Sequence, residues 1–367
     1  MSSGTARSSE QEKHAGPTHF GRRLFAGGAI LALTCGLAFA AIKPSPKGLK
    51  GERLDVTSIP ITVFERAGRP TTDLGRLSWR GGLVLTDPSP HFGGWSGLVI
   101  SPDGRRLTAI SDAGAWMAGT LVYGRNRHPD ALTDVTIGAL KAKSGKDLAR
   151  GRDRDAEGMT LASGTLDNGE VLISFENHHR IGRFPVQAGI PGAPSSYLEL
   201  PAELRKKDGR DGLETVVALR SGAKGSSILA ISEYAADEAE THAAWLWRGG
   251  KPEKLSIRAH DDYAITDAVG LDNGNIILLE RRFRVLDGVR MRLREIAAGD
   301  IAPGAILDGE VLVDADLTRE IDNMEGLAVH RESDGTTILT LISDDNFSRI
   351  LQRTILLQFA LRPRASG

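Results

Sequence analysis

Carboxylates recur in this sequence at intervals that suit shared chemistry. Glu157, Glu214 and Glu325 each lie within two residues of a glycine that opens a short apolar run, and Asp112, Glu176, Glu233, Glu280 and Asp344 each end the apolar run that follows. Acids confined together repel one another unless they are protonated or bridged by a cation, and an all-oxygen donor set favours a hard ion such as Ca²⁺. An ion so held would orient a small anionic or ester substrate and activate a water. The metal-ligand candidates are therefore Glu157, Glu214, Glu233, Glu280 and Glu325. Taken singly, each acid has an ordinary alternative: it can cap backbone amides or pair with an arginine such as Arg154, Arg180, Arg281 or Arg282.

The densest local cluster is Glu176-Asn177-His178-His179-Arg180. Glu176, His178, His179 and Arg180 are the catalytic candidates, since imidazole exchanges protons near neutral pH and a guanidinium binds anions. Adjacent strand residues point to opposite faces, so both histidines cannot serve one site if the strand continues through them. A second basic stretch, Arg281-Arg282-Phe283-Arg284 followed by Arg290, Arg292 and Arg294, is basic enough to attract an anionic ligand, and its alternation with Met291 and Leu293 fits better the solvated face of an outer strand. Pro90-His91-Phe92-Gly93-Gly94-Trp95-Ser96 is glycine-rich and aromatic, which suits a pocket wall. Ser96 lacks the G-x-S-x-G context of a nucleophile elbow, and the chain contains no P-loop, dinucleotide fingerprint, H-E-x-x-H or EF-hand loop.

The elements that must position these residues repeat. Glycines 97, 158, 212, 270 and 326 are separated by 61, 54, 58 and 56 residues. After each comes an apolar run, then a turn (Pro102-Asp103-Gly104, Asp167-Asn168-Gly169, Ser221-Gly222, Asp272-Asn273-Gly274 or Asp334-Gly335), then a second apolar run ending at a carboxylate. Short β-branched runs bounded by glycine and aspartate are strands. A hairpin-built period of this length predicts an all-β chain forming a single β-propeller. The segment 41–94 is close to one further period, so six blades are expected, with five as the alternative, and a ring closed by pairing of N- and C-terminal segments. In that arrangement Glu157, Glu214 and Glu325 recur at one height near the axis, and the second row of acids recurs at the opposite end of each hairpin. Short helical signals occur at 201–207 and 314–320, and the charged, glycine-rich stretch 141–156 reads as a loop.

Composition narrows the class. The 46 Lys+Arg against 47 Asp+Glu give a net charge of −1, without the basic excess of a nucleic-acid binder. One cysteine excludes an intramolecular disulfide framework. The 43 glycines in 367 residues exceed the usual share of about 7% and match the demand for turns and close strand approaches. Residues 1–40 read as a twin-arginine-like export signal: Arg22-Arg23-Leu24-Phe25, an apolar run, then Ala38-Phe39-Ala40. Removal of that segment leaves 41–367 as one domain without cysteine, periplasmic or secreted. If uncleaved, the segment is the chain's one expected contact with a membrane.

Arg154-Asp155-Ala156-Glu157-Gly158-Met159, Ser174-Phe175-Glu176-Asn177, Asp211-Gly212-Leu213-Glu214, Asn323-Met324-Glu325-Gly326-Leu327 and Asp344-Asp345-Asn346-Phe347 with Gln352-Arg353-Thr354 together resemble the phytase-like, "esterase-like activity of phytase" family of exported bacterial propellers. The resemblance covers nearly all of 41–367. It implies a propeller and a phosphoester hydrolase. The D-A-[DE]-D-P-A motif of the calcium-dependent propeller phytases does not occur in the chain. Three functions follow as expectations: a Ca²⁺-assisted phosphoester hydrolase, a non-catalytic ligand- or protein-binding propeller, and a lactonase-like ester hydrolase.

Overall fold

Runs of β-branched and aliphatic residues punctuated by glycine and aspartate can bury both faces only by stacking sheet on sheet. The computed structural model describes residues 43–66, 73–148, 151–206, 212–219, 227–236 and 240–364, so the expected export signal and the Ser221-Gly222 turn lie outside the described residues. It contains five sheets, each opening on an inner strand: Trp95–Ile100, Ala156–Gly164, Leu213–Leu219, Ala264–Gly270 and Met324–Arg331, which begin blades 1 to 5. Each sheet then runs outward as an antiparallel meander, to which blade 3 adds Ile306–Leu307 as a parallel edge strand. Blade 1 continues through Arg106–Ser111, Ala115–Tyr123 and Pro129–Ala139, and blade 5 through Thr337–Ser343 and Thr354–Leu361.

The propeller therefore has five blades and not six. The segment expected to form the extra blade is divided between its neighbours. Leu77–Thr86 pairs with Thr354–Leu361 as the fourth strand of blade 5, Thr57–Ile61 pairs outside it, and Lys50–Arg53 lies on the outer edge of blade 1. The physical reason is edge pairing. A last blade made of the chain's final strands alone would leave Thr354–Leu361 unpaired on one side, and the N-terminal strand covers it.

Contacts between inner strands close the ring. A Cβ on Gly97 would lie 2.9 Å from Glu157 O, one on Gly158 would lie 2.8 Å from Glu214 O, and one on Gly326 would lie 3.0 Å from Ser96 O. These glycines let successive inner backbones touch. Where side chains stand at the equivalent positions they bond instead: Thr215 Oγ1 donates to Asp267 Oδ1 at 2.6 Å, and Asp267 Oδ2 accepts from Leu327 N at 2.7 Å. The contacts thus run from blade 1 through 2, 3, 4 and 5 back to 1. The repeat is offset from the glycine count in two blades, because Thr215 and Asp267, rather than Gly212 and Gly270, occupy the ring position. Burial pushes the Asp267 carboxyl up to about 8, and the Thr215, Leu327 and Ala268 hydrogen bonds pull the other way.

The apolar core sits between neighbouring blades. Phe64, Trp79 and Phe359 form one aromatic knot of it, with ring centroids 5.0 to 5.2 Å apart. Helix is confined to Gly151–Arg154 and Ala202–Lys206 among the described residues, apart from a single 3₁₀ turn at Ala298–Asp300.

Candidate metal centre

Every inner strand carries a β-bulge near its start. Register skips one residue between Trp95 and Gly97, Leu213 and Thr215, Ile265 and Asp267, and Met324 and Gly326, and blade 2 skips likewise opposite Ile173 and Phe175. A bulge re-aims the extra side chain out of the regular pleat. The bulge residues are Ser96, Glu157, Glu214, Thr266 and Glu325, so the repeated glutamates owe their shared position to a repeated backbone irregularity.

The second row of acids lies at the same end of the ring, where the sequence pattern had suggested the opposite end. The two strands of each hairpin are antiparallel, which returns the end of the second strand to the start of the first: Ser111 pairs with Trp95, Phe175 with Ala156, Ser232 with Leu213, and Ser343 with Met324. The next residues are Asp112, Glu176, Glu233 and Asp344. Both rows meet at one mouth of the channel. The opposite half of the channel holds a cavity of about 240 Å³ lined by Leu98, Met159 and Leu327 together with Asp272, His330 and Arg331, away from the two acid rows.

Blade 4 breaks the pattern. Glu280 pairs with Ile265 and so stands one position early, at the place taken by serine in blades 1, 3 and 5. It lies outside the acidic mouth, buried against Arg294. Arg281 occupies the acid position instead. It lies 3.2 Å from Glu233 Oε1 and 3.3 Å from Glu325 Oε1, tying blades 3 and 5 to blade 4. The arginines that alternate along Gly288–Ile296 are likewise not a solvated face. Arg294 is fully buried and Arg292 nearly so, with Arg292 bonded to Asp314 and Asp261 and stacked 4.0 Å from the Tyr263 ring.

Within the mouth, the ligand atoms of Asp155, Glu157 and Glu176 all lie within 4.8 Å of one another. Asp155 is buried, while Glu157 and Glu176 retain partial exposure. Glu176 is seated by its backbone N–H donating to Asp155 O at 3.0 Å, and by Gly212, where a Cβ would fall 2.2 Å from Glu176 Cγ. Asn177 Nδ2 donates to Asp155 Oδ2, and the Lys43 ammonium lies 2.9 Å from both Asp155 Oδ1 and Asp112 Oδ2. Glu214, Glu233, Glu325 and Asp344 stand buried around this trio.

The rest of the Glu176–Arg180 turn is arranged differently. His178 is exposed with Nδ1 3.0 Å from Asp153 Oδ1, and His179 is buried beside Gly212. Arg180 lies flat on the Phe175 ring at 3.6 Å and donates to the backbone oxygens of His178 and Asp153. Asp155 and Lys43 were not among the sequence candidates. Asp155 had a signal, since it precedes Glu157 by two residues. Lys43 had none, because its partners are far along the chain.

The electrostatics follow from crowding. Burial, then Asp155 and Asp112, hold Glu157 well above the ordinary glutamate value; burial, then Glu233 and Glu157, do the same to Glu214. Burial, then Asp155 and Glu233, push Glu176 up to about 7. Burial raises Glu325 against the pull of Arg281, and raises Asp344 with help from Asp112. Folding therefore holds protons that the unfolded chain releases above about 4.5, so metal-free stability falls as pH rises through about 7. Calorimetry of chelator-treated protein is expected to give a higher Tm at pH 5.5 than at pH 8, with a divalent cation raising Tm more at pH 8. Equal metal-free values at the two pH points would mean that the acids are not crowded as described.

A carboxylate trio with its charges held this close fits a hard metal ion, whose binding would replace the shared protons. A search of curated proteins gave no match. A family model described as "Phytase-like: Esterase-like activity of phytase" matches residues 90–347, a span that holds all five inner strands and both acid rows. With well over half of its length matched and its acids gathered at one mouth of a five-bladed ring, the chain belongs to the phytase-like family.

Proposed function

We propose that the chain is an exported, metal-assisted hydrolase of small phosphoesters or carboxylic esters, using Ca²⁺ or a similar hard cation at the acidic mouth. The observation that carries this reading is the convergence of Asp155, Glu157 and Glu176 within 4.8 Å. Bound there, such an ion would polarise a phosphoryl or carbonyl oxygen and make a water acidic at neutral pH. Asp155 and Glu157 would hold it, with Glu214, Glu233 and Glu325 supplying the negative field around it. Glu176, part-exposed and poised near pH 7, would accept the proton of the attacking water. His178, exposed on the same turn, would meet the anionic part of the substrate, while Arg180 and His179 shape the turn that carries it. Export to the periplasm or beyond is supported by the twin-arginine-like segment at 1–40 alone.

The test is turnover of p-nitrophenyl phosphate, bis-p-nitrophenyl phosphate, p-nitrophenyl butyrate and a simple lactone after chelation and after return of Ca²⁺, Mg²⁺ or Mn²⁺. At least one substrate should be hydrolysed with the ion and not without it. No turnover of any substrate with any ion would leave a ligand-binding propeller as the better reading.

A further inference from the structure

Besides Arg281, the acidic mouth contains a second side-chain cation in a place where carboxylates from two blades meet. The arm that delivers it is well anchored. Pro46 and Leu49 are buried, Leu49 O accepts from Ala139 N, Gly48 N donates to Asp147 Oδ2 at 2.8 Å, and Lys50–Arg53 then joins the edge of blade 1. From this arm Lys43 extends its ammonium to 2.9 Å from Asp112 of blade 1 and 2.9 Å from Asp155 of blade 2. Asp155 thus faces the ammonium on one side and, on the other, the point where its carboxylate meets Glu157 and Glu176. A carboxylate shared between adjacent cations is the arrangement of a two-metal hydrolytic site, in which the ions stand about 3.5–4 Å apart.

We propose that the Lys43 ammonium fills the second of two adjacent cation positions, so that the chain takes one free divalent ion where its carboxylates alone would hold two. This rests on the metal reading above. The tethered ammonium bridges blades 1 and 2 much as Arg281 bridges blades 3, 4 and 5. Unlike a free ion it cannot be removed by chelation, and it places a fixed positive charge beside the position of the free ion. The ligand of the vacated position would be a second hard divalent cation bound by Asp112 and Asp155.

The experiment is calorimetric titration of Ca²⁺, and separately Mn²⁺, into chelator-treated protein expressed from the full-length sequence, as wild type, Lys43→Ala, Lys43→Met and Lys43→Arg. Circular dichroism and Tm in chelator establish that each is folded, and Lys43→Met retains most of the side-chain stem if the alanine variant is not. Wild type and Lys43→Arg should bind one ion per chain, and Lys43→Ala or Lys43→Met should bind two. One ion in all four proteins would overturn the role of Lys43 and leave the metal reading standing. No ion in any of them would overturn both.

Discussion

Glu157→Gln is expected to weaken divalent-ion binding by at least about 100-fold and to abolish ion-dependent turnover, because even outer-shell changes at metal sites cost about 10–100-fold. The same substitution should stabilise the metal-free protein at pH 8. Glutamine keeps the shape of the side chain and removes an acid that the unfolded chain ionises freely but that burial, Asp155 and Asp112 keep from ionising in the fold. The two effects have opposite signs, which separates a ligand from a residue that merely supports the fold. Titration calorimetry measures the first and scanning calorimetry in chelator the second. A variant that loses metal-free stability while binding the ion normally would place Glu157 in the scaffold.

Arg294→Met should cost the fold more stability than Glu157→Gln or any substitution of Lys43, and leave the ion site intact. Arg294 and Glu280 are both fully buried and paired, and Arg294 Nη1 also donates to Arg258 O at 2.9 Å and Asp308 Oδ1 at 3.3 Å. Removing one partner of a buried pair costs about 3–5 kcal/mol, because the other charge is left desolvated. Burial already raises the Glu280 carboxyl against the pull of Arg294, so the penalty should grow with pH as the unfolded chain releases a proton that the orphaned buried acid keeps. Replacing both residues, Glu280→Leu with Arg294→Met, should recover most of the loss. Chemical denaturation at pH 6 and pH 8 reads wild type, the single variant and the double variant. Loss of ion binding in Arg294→Met would show instead that Glu280 communicates with the mouth.

The hairpin grammar of this chain was legible because each blade must repeat its own turn chemistry and its own pair of inner strands. The blade count was not. Residues 50–53 and 77–86 have ordinary strand patterns, and nothing local in them says that their partners are Pro129–Ala139 and Thr354–Leu361. The acid rows were legible as a repeat, but their common location depends on antiparallel return and on a bulge, which shifts register by one residue and leaves no mark in composition. Glu280 shows the limit. It sits at the right spacing in the sequence and one place early in the blade, so that Arg281 faces the mouth and Glu280 faces Arg294. Lys43 was hidden for a different reason, since an arm that crosses from outside the repeat obeys no period.

The pairing of Leu77–Thr86 with Thr354–Leu361 also sets an order of events. The meander strands of blades 1 to 4 follow the order of synthesis, whereas blade 5 joins strands made nearly first to strands made last. Such non-local pairing is slow to form. Acids from blades 1, 2, 3 and 5 share the mouth, so a ribosome-bound or truncated chain carries its carboxylates without the enclosure that crowds them. The trio of Asp155, Glu157 and Glu176 is complete within blade 2, but the field of acids that surrounds it is enclosed only when the final strand closes the ring.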